Sequence, residues 1–375
     1  MKLSINSSEL KKLLVACVAT AAKAEMPVLS ALKLEAKNGT LYCTGYDLSL
    51  SVVTKTTDVN IEKDGVAIVT SNILKKINDF SYGEITMETT KKLLTISSEN
   101  GIFNIPLFLE EEYPSLPKKE TDSTKVEFNI DDFVYAVNAV AYATETDVNR
   151  NKIHGISVMI ENGFMTIVGI DGHKLAVRKI PARTTETLGF RLELDKVQRA
   201  IKAIPDEGKA KIDVYTRHLE LSFEDVSITI RLVDGCVSNY NDYIPRDSKT
   251  IVKVNREALI EGCRKCQIVN TADRIRFPLK AEVSNAYGEI RLSLSSNTGS
   301  CDARVSGVVN GDNLIIGLDN EFLLNALLSS KIKDADADDV VISFNGPLAP
   351  ITIKVDGHTD EMVNLIVPMR LSKDN

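Results

Sequence analysis

The sequence predicts an α+β fold in which one unit, two helices packed on antiparallel sheets, occurs three times. Three observations predict it. The segments KLSINSSELKKLLVACVATA from residue 2, KVEFNIDDFVYAVNAVAYAT from 125 and IVKVNREALIEGCRKCQIVN from 251 open alike. Shifts of 123 and then 126 residues superpose Leu3, Val126 and Val252, then Ile5, Phe128 and Val254, then Asn6, Asn129 and Asn255. A second helical pattern recurs in SNILKKINDF, ELDKVQRAIKAI and DNEFLLNALLSSK, where Ile73, Val197 and Leu323 correspond, as do Ile77, Ile201 and Leu327. Polar, proline-bearing connections at Tyr113 to Thr124 and Ile244 to Thr250 separate the copies and set domains at 1–124, 125–249 and 250–375.

Each copy begins with an alternating strand that runs into its Asn, a favoured N-cap because the side-chain oxygen accepts from a first-turn N–H that has no partner within the helix. In the helix that follows, Leu10, Leu13, Leu14, Cys17 and Val18 form one apolar stripe, and Phe133, Ala136, Val137, Val140 and Ala141 repeat it. Strand-like alternation follows the second helix, as in EITMETTKKLLTISS, AKIDVYTRHLELSF and VVISFNGPLAPITIKV, and implies about eight strands per copy. In VGIDGHKLAVRKIP an acid, Asp171, stands two residues from His173. Asp171 lies 124 residues after Asp47 and 126 before Asn297, so each copy places an Asx at one strand-to-strand turn, where it can bond nearby backbone N–H groups. A catalytic acid needs one copy, not three. The Gly172-His173-Lys174 sequence belongs to the middle copy alone, and any special task rests there.

Composition narrows the class. The 375 residues are 43% hydrophobic and 26% charged, values of globular domains, and the net charge of −7 argues against a basic coat while leaving room for a local basic surface. No apolar run reaches the roughly 18 residues of a membrane span, and MKLSINSSEL lacks the apolar core of a signal peptide, so a cytoplasmic protein with no membrane partner is expected. Six irregularly spaced cysteines imply reduced thiols. Cys263 and Cys266 form a C-x-x-C pair without further ligands, at the stripe positions of Leu14 and Cys17, which points to core packing rather than zinc. The DADADD run at 334–339 lacks the glycine and terminal glutamate of a calcium loop. Nucleotide-binding, zinc-hydrolase and serine-hydrolase signatures are missing, and His154, His173, His218 and His358 have no recognisable nucleophile. No catalytic residue, cofactor or metal is therefore expected.

GIDGHKLAV (169–177), RLVDG (231–235), the NYNDYIP that follows and the C-terminal IVPMRL (366–371) resemble the bacterial sliding clamps, the beta subunits of DNA polymerase III. The resemblance covers essentially the whole chain. It implies three DNA-clamp domains, a head-to-tail dimeric ring around double-stranded DNA with helices inside and sheets outside, and a non-catalytic role in DNA replication as processivity factor. Helices of about 12 to 15 residues span roughly 20 Å, the scale of a duplex. Their polar faces offer Lys12, Lys23, Lys76, Arg150, Lys152, Arg199, Lys202, Arg264 and Lys265 for sequence-independent phosphate contacts.

The same resemblance implies a groove for short, partly apolar peptides of the replicative polymerase, clamp loader and repair proteins. One wall is Arg150, Ile153, Ile170, Gly172, His173, Lys174 and Leu175; the other is Leu365, Ile366, Val367, Pro368, Met369 and Arg370, with Tyr243 and Pro350 nearby. Aliphatic and Met side chains make an adaptable floor. Phe103 and Ile105 match one side of the homodimer seam and Ile268 the other, while Gln267 stands where the family has an apolar residue. Ser238, Asp242, Tyr243, Pro350 and the tail SKDN also depart from the family pattern. Two alternatives accompany this reading: a specialised phage-borne or drug-tolerant clamp, and a hydrolase using Asp171 and His173.

Overall fold

The repeat becomes a succession of matched elements in the computed structural model, which describes the chain apart from residues 22–25, 80–81, 100, 118–119, 151, 185, 205–207, 271–276, 333–338, 359–360 and 372–375. The first copy runs β1 (Lys2–Asn6), α1 (Ser7–Ala21), β2 (Ala31–Lys37), β3 (Thr40–Tyr46), β4 (Leu50–Thr56), β5 (Val59–Lys63), β6 (Gly65–Thr70), α2 (Ser71–Asp79), β7 (Glu84–Thr89), β8 (Leu93–Ser98) and β9 (Gly101–Pro106). The second runs β10 (Thr124–Asn129), α3 (Ile130–Ala141), β11 (Ile156–Glu161), β12 (Phe164–Ile170), β13 (Lys174–Thr184), β14 (Leu188–Leu192), α4 (Leu194–Ile201), β15 (Lys209–Val214), β16 (His218–Ser222) and β17 (Val226–Arg231). The third runs β18 (Thr250–Asn255), α5 (Arg256–Val269), β19 (Leu279–Ser284), β20 (Glu289–Ser296), β21 (Gly299–Gly311), β22 (Leu314–Leu318), α6 (Asn320–Ser329), β23 (Asp339–Phe344), β24 (Ile351–Val355) and β25 (Met362–Ile366). The first copy has a ninth strand because the chain breaks after Thr56, where β13 and β21 run on without interruption.

Local chemistry explains these elements. Asn6, Asn129 and Asn255 each accept, at 3.0 Å, from the backbone N–H of Ser8, Asp131 and Ala258, so all three predicted caps form. Leu10, Leu13, Leu14 and Cys17 are buried and Val18 half-buried, as the stripe requires. Leu259, Cys263 and Cys266 repeat that face within the third copy's core, each buried Leu contributing about 1.5–3 kcal/mol. Burial pushes the Cys263 thiol up to about 12, so it packs as a small apolar group. The second helix of the first copy departs from expectation: Leu74 and Ile77 are buried, whereas Ile73 is exposed. A three-residue step keeps Leu74 and Ile77 on the face that meets α1, and Ile73 falls outside it. Asn38-Gly39 and Asn162-Gly163 close the β2–β3 and β11–β12 hairpins with positive φ at both residues, the type I′ geometry that Asn-Gly favours.

By contacts the described chain forms two units. The first comprises Met1–Asp131, Ala182–Glu186 and Asp195–Val233 and holds two antiparallel sheets. One is β5-β1-β7-β8-β9. The other has nine strands, from the end of β13 through β10-β15-β16-β17-β4-β3-β2-β6. The second unit comprises Asp132–Pro181, Thr187–Leu194 and Asp234–Asn375. It also holds a nine-stranded sheet, β14-β11-β12-β13-β25-β24-β23-β18 and the end of β21, and a four-stranded one, β22-β19-β20-β21. No described helix is long and apolar enough to cross a membrane. Of the DADADD run, residues 334–338 lie outside the described residues.

Candidate partner groove and basic helix faces

The middle copy's special turn is built around Asp171. Its Oδ1 accepts from the N–H groups of His173 (2.8 Å) and Lys174 (2.7 Å), and Gly172 between them takes φ 92°. Oδ2 lies 3.1 Å from Lys174 Nζ, which also sits 4.1 Å from the centre of the Phe322 ring. Arg150 Nη1 donates to Glu145 at 2.5 Å and to the Asp171 carbonyl at 2.9 Å, strapping the turn from outside. Both Asp171 oxygens are thus committed, and the acid is a turn residue rather than a base.

Behind this turn, strand alternation makes an apolar floor. Val168, Ile170, Leu175 and Val177 from β12 and β13 join Val363 and Leu365 of β25 in one buried cluster, with Ile153 and Val367 half-buried against it. β13 pairs with β25 so that Lys174 faces Ile366 and Leu175 faces Leu365, and the Val367 N–H donates to the His173 carbonyl at 2.9 Å. Of the expected groove residues, Ile153, Ile170, Leu175, Leu365 and Val367 therefore come together, with Arg150, Gly172 and Lys174 at the turn above them. His173, Arg370 and Tyr243 are exposed; Pro350, Pro368 and Met369 are half-buried, the Met369 N–H donating to the Gly317 carbonyl at 2.8 Å. Ile366 is a correction: it is fully buried in the third copy's core, because its neighbours Leu365 and Val367 point to the groove side and a strand alternates. Sequence reading missed Val237, Tyr240 and Ile244, which pack against the same cluster. They lie on a connection without periodicity, so no pattern marks them.

The equivalent turns differ in their second bonds. In the first copy Asp47 Oδ1 accepts from Ser49 N (3.0 Å) and Leu50 N (2.7 Å). Its Oδ2 holds Lys196 Nζ at 2.9 Å and Arg199 Nη2 at 2.5 Å. Burial pushes the Asp47 carboxyl up, but Lys196, the Leu50 N–H and Arg199 outweigh it and hold the carboxyl below the ordinary aspartate value. In the third copy the strand register places Ser296, not Asn297, opposite this point, and Ser296 Oγ accepts from Thr298 N at 3.1 Å. A hydroxyl does there what a carboxylate does elsewhere.

Of the expected phosphate contacts, Lys12, Lys76, Lys152, Lys202, Arg264 and Lys265 are exposed, with Lys12 2.6 Å from Glu9 and Lys265 2.8 Å from Glu261. Lys23 lies outside the described residues. Arg199 is a second correction: it is 6% exposed, bound to Asp47, to Asp195 at 3.0 Å and to the Thr20 carbonyl, and so cannot reach DNA. α3 and α6 carry no Lys or Arg. The expected dimer residues divide too. Ile268 is 73% and Phe103 39% exposed, but Ile105 is buried beside Leu94 in its own sheet, and Ile102, not foreseen, stands exposed instead.

Residues 1–117 match the family model of the DNA polymerase III beta subunit N-terminal domain, and residues 127–239 that of its central domain. The curated beta sliding clamp of Bacillus subtilis is 23% identical over 368 residues, covering 94% of each chain. The solved DNA polymerase sliding clamp from Bacillus subtilis superposes with a TM-score of 0.91 at 20% identity, covering 99% of this chain and 100% of that one. The DNA polymerase III beta subunit from Thermotoga maritima superposes with a TM-score of 0.87 at 21% identity over 99% and 100%. Two successive domains of one protein matched along well over half the sequence, on a scaffold superposable end to end, establish that this chain belongs to the DNA polymerase III beta-subunit family, the bacterial sliding clamps.

Proposed function

We propose that the chain is a processivity clamp. Three domains, 1–124, 125–249 and 250–375, form half of a homodimeric ring on duplex DNA, and the groove above the Ile170, Leu175 and Leu365 floor tethers the polymerase, clamp loader and repair proteins. It works in the cytoplasm, where bacterial DNA is replicated, and turns nothing over. The observation that carries this reading is the sheet inventory. Each unit has one nine-stranded sheet, made of a four-strand half and a five-strand half that meet at β4–β17 or at β13–β25. What remains is a five-strand sheet ending at β9 and a four-strand sheet ending at the first half of β21. These are the two halves of a further nine-stranded sheet, so two chains placed head to tail complete it twice and leave neither edge open.

The repeat also supplies the register. Leu50 faces Ile230 and Lys174 faces Ile366 at equivalent points of the two complete sheets, which sets Gly299 opposite the partner's Ile105 and Cys301 opposite the partner's Phe103. Tyr142 bonds Asn364 at 3.0 Å inside one chain. Their counterparts by repeat are Ile268 and Phe103, an apolar pair that accounts for two exposed hydrophobics. The exposed lysines and Arg264 supply sequence-blind phosphate contacts. The relatives found carry the ordinary clamp name, which lends no support to a specialised copy, and the committed oxygens of Asp171 leave the hydrolase reading without a free carboxylate beside His173.

Light scattering should give twice the 41.2 kDa chain mass, and Ile268→Asp should halve it. Dimer loaded by a clamp loader on a circular plasmid should be retained, and should leave when a nuclease linearises the circle. A monomeric wild type, or equal retention on linear DNA, would falsify the ring.

A further inference from the structure

The repeat that makes a peptide groove beside β13–β25 should make a similar hollow beside β4–β17, and one exists there. A cavity of about 340 Å³ lies in the first unit, lined by the buried Tyr46, Ser51 and His218, the half-buried Thr229 and the exposed Leu48, Arg217 and Arg231. The strand registers make Tyr46, Leu48 and Ser51 the counterparts of Ile170, Gly172 and Leu175, and Arg231 and His218 the counterparts of Val367 and Pro350. The position is that of the partner groove, one copy earlier, and the volume falls in the range of ligand sites.

Its chemistry differs in one direction. Where the groove is apolar, this hollow presents two guanidinium groups and an imidazole. Glu120 is the acid on its wall, and it is already engaged, accepting from Thr216 N at 3.2 Å and lying 3.7 Å from His218 Nδ1. Arg217 and Arg231 are exposed and form no ion pair among the described residues. At the mouth, Leu48 holds φ 72° where the second copy has Gly172, so a bulky apolar side chain, 46% exposed, is kept in a backbone conformation that favours glycine. A strained, exposed leucine beside unpaired arginines is an arrangement for contact with something outside the chain.

We propose that this hollow is a second peptide-docking site, for an extended segment that places an acidic side chain on Arg217 and Arg231 and an apolar one against Leu48 and Tyr46. Bidentate guanidinium–carboxylate pairing selects the acid, and the leucine and tyrosine supply the apolar contact. The site goes beyond the clamp reading and does not depend on ring closure, since every residue it uses lies in one unit of one chain.

The four histidines make the test direct. The full-length chain, labelled with carbon-13 histidine, is titrated by NMR with acetyl-Leu-Glu-Phe-Glu-amide and, separately, with its Gln-for-Glu analogue at millimolar concentration. The expected result is a saturable shift of the His218 ring signal with the acidic peptide, about tenfold weaker with the analogue, and about tenfold weaker in the Arg217→Gln/Arg231→Gln double variant, whose thermal unfolding should match wild type because both side chains are exposed. An unmoved His218 signal, equal binding of both peptides, or a response confined to His173, which marks the groove, overturns the proposal.

Discussion

The two strand seams inside the chain, β4–β17 and β13–β25, share one register and one position in a nine-stranded sheet, yet opposite chemistry seals them. At the first, a carboxylate meets two cations: Asp47 on Lys196 and Arg199. At the second, the buried Arg178 pairs with no carboxylate among the described residues. It donates to the carbonyls of Val177 (2.7 Å) and Ser329 (2.8 Å) and to Asn364 Oδ1 (3.2 Å), while Asn364 Nδ2 donates to Ser330 Oγ at 2.8 Å. The repeat fixes where backbones meet and leaves side chains free to diverge. The seam with the carboxylate adjoins the charged hollow, and the seam sealed by carbonyls adjoins the apolar groove.

The charge-sealed seam should be the easier to break. Asp47→Ala strips Lys196 of its carboxylate and leaves the buried Arg199 only the half-exposed Asp195, and should cost about 3 kcal/mol, read from urea unfolding. The pH dependence has a definite sign. Because the folded-state carboxyl titrates below the ordinary aspartate value, its contribution is complete above about pH 4 and is lost as pH falls through the lowered value. The difference in stability between wild type and Asp47→Asn should therefore shrink on acidification below pH 4 and be flat from pH 5 to 8. A difference that grew on acidification would contradict the ion pair. Next in size, Arg178→Met should cost about 2–3 kcal/mol by stranding the Ser329 carbonyl and Asn364, with no slope across the same acid window. An acid-dependent loss there would erase the contrast between the seams.

Much of this was legible in the sequence because repeats and caps are local. Three Asn residues ending three strands announced three helices, and all three caps form. The Asp47 and Asp171 turns were legible for the same reason, since their bonds run two and three residues ahead. Ser296 was not, because strand pairing, rather than the sequence shift, decides which residue stands at the third turn. The groove floor was half legible: alternation gives Ile170, Leu175 and Leu365 but also excludes Ile366, which a contiguous motif swept in. Arg199 was misassigned, and Ile105, which lies on the seam strand β9, was taken for an exposed apolar contact, because exposure depends on partners that the adjacent sequence does not show, Asp47 for one and the cross-strand Leu94 for the other. The Asn-Gly hairpins at 38–39 and 162–163, 124 residues apart, were a readable sign of the repeat that went unused.

The smallest effect is the one that links seam to site. Leu48 and Gly172 hold the same left-handed turn position, φ 72° and 92°. A leucine there is strained by about 1–2 kcal/mol, and replacing it with glycine relieves that strain while loosening the unfolded chain by about 0.5–1 kcal/mol. Leu48→Gly should therefore raise stability by about 0.5–1 kcal/mol in urea unfolding, whereas Gly172→Ala, which introduces the strain, should lower it by about 1 kcal/mol. Were Leu48 merely an unselected surface residue, the stabilised variant would bind the acidic peptide as wild type does. If its side chain is the apolar lip of the hollow, the more stable protein should bind several-fold more weakly, an opposition between stability and binding that a purely structural role of this turn would not produce.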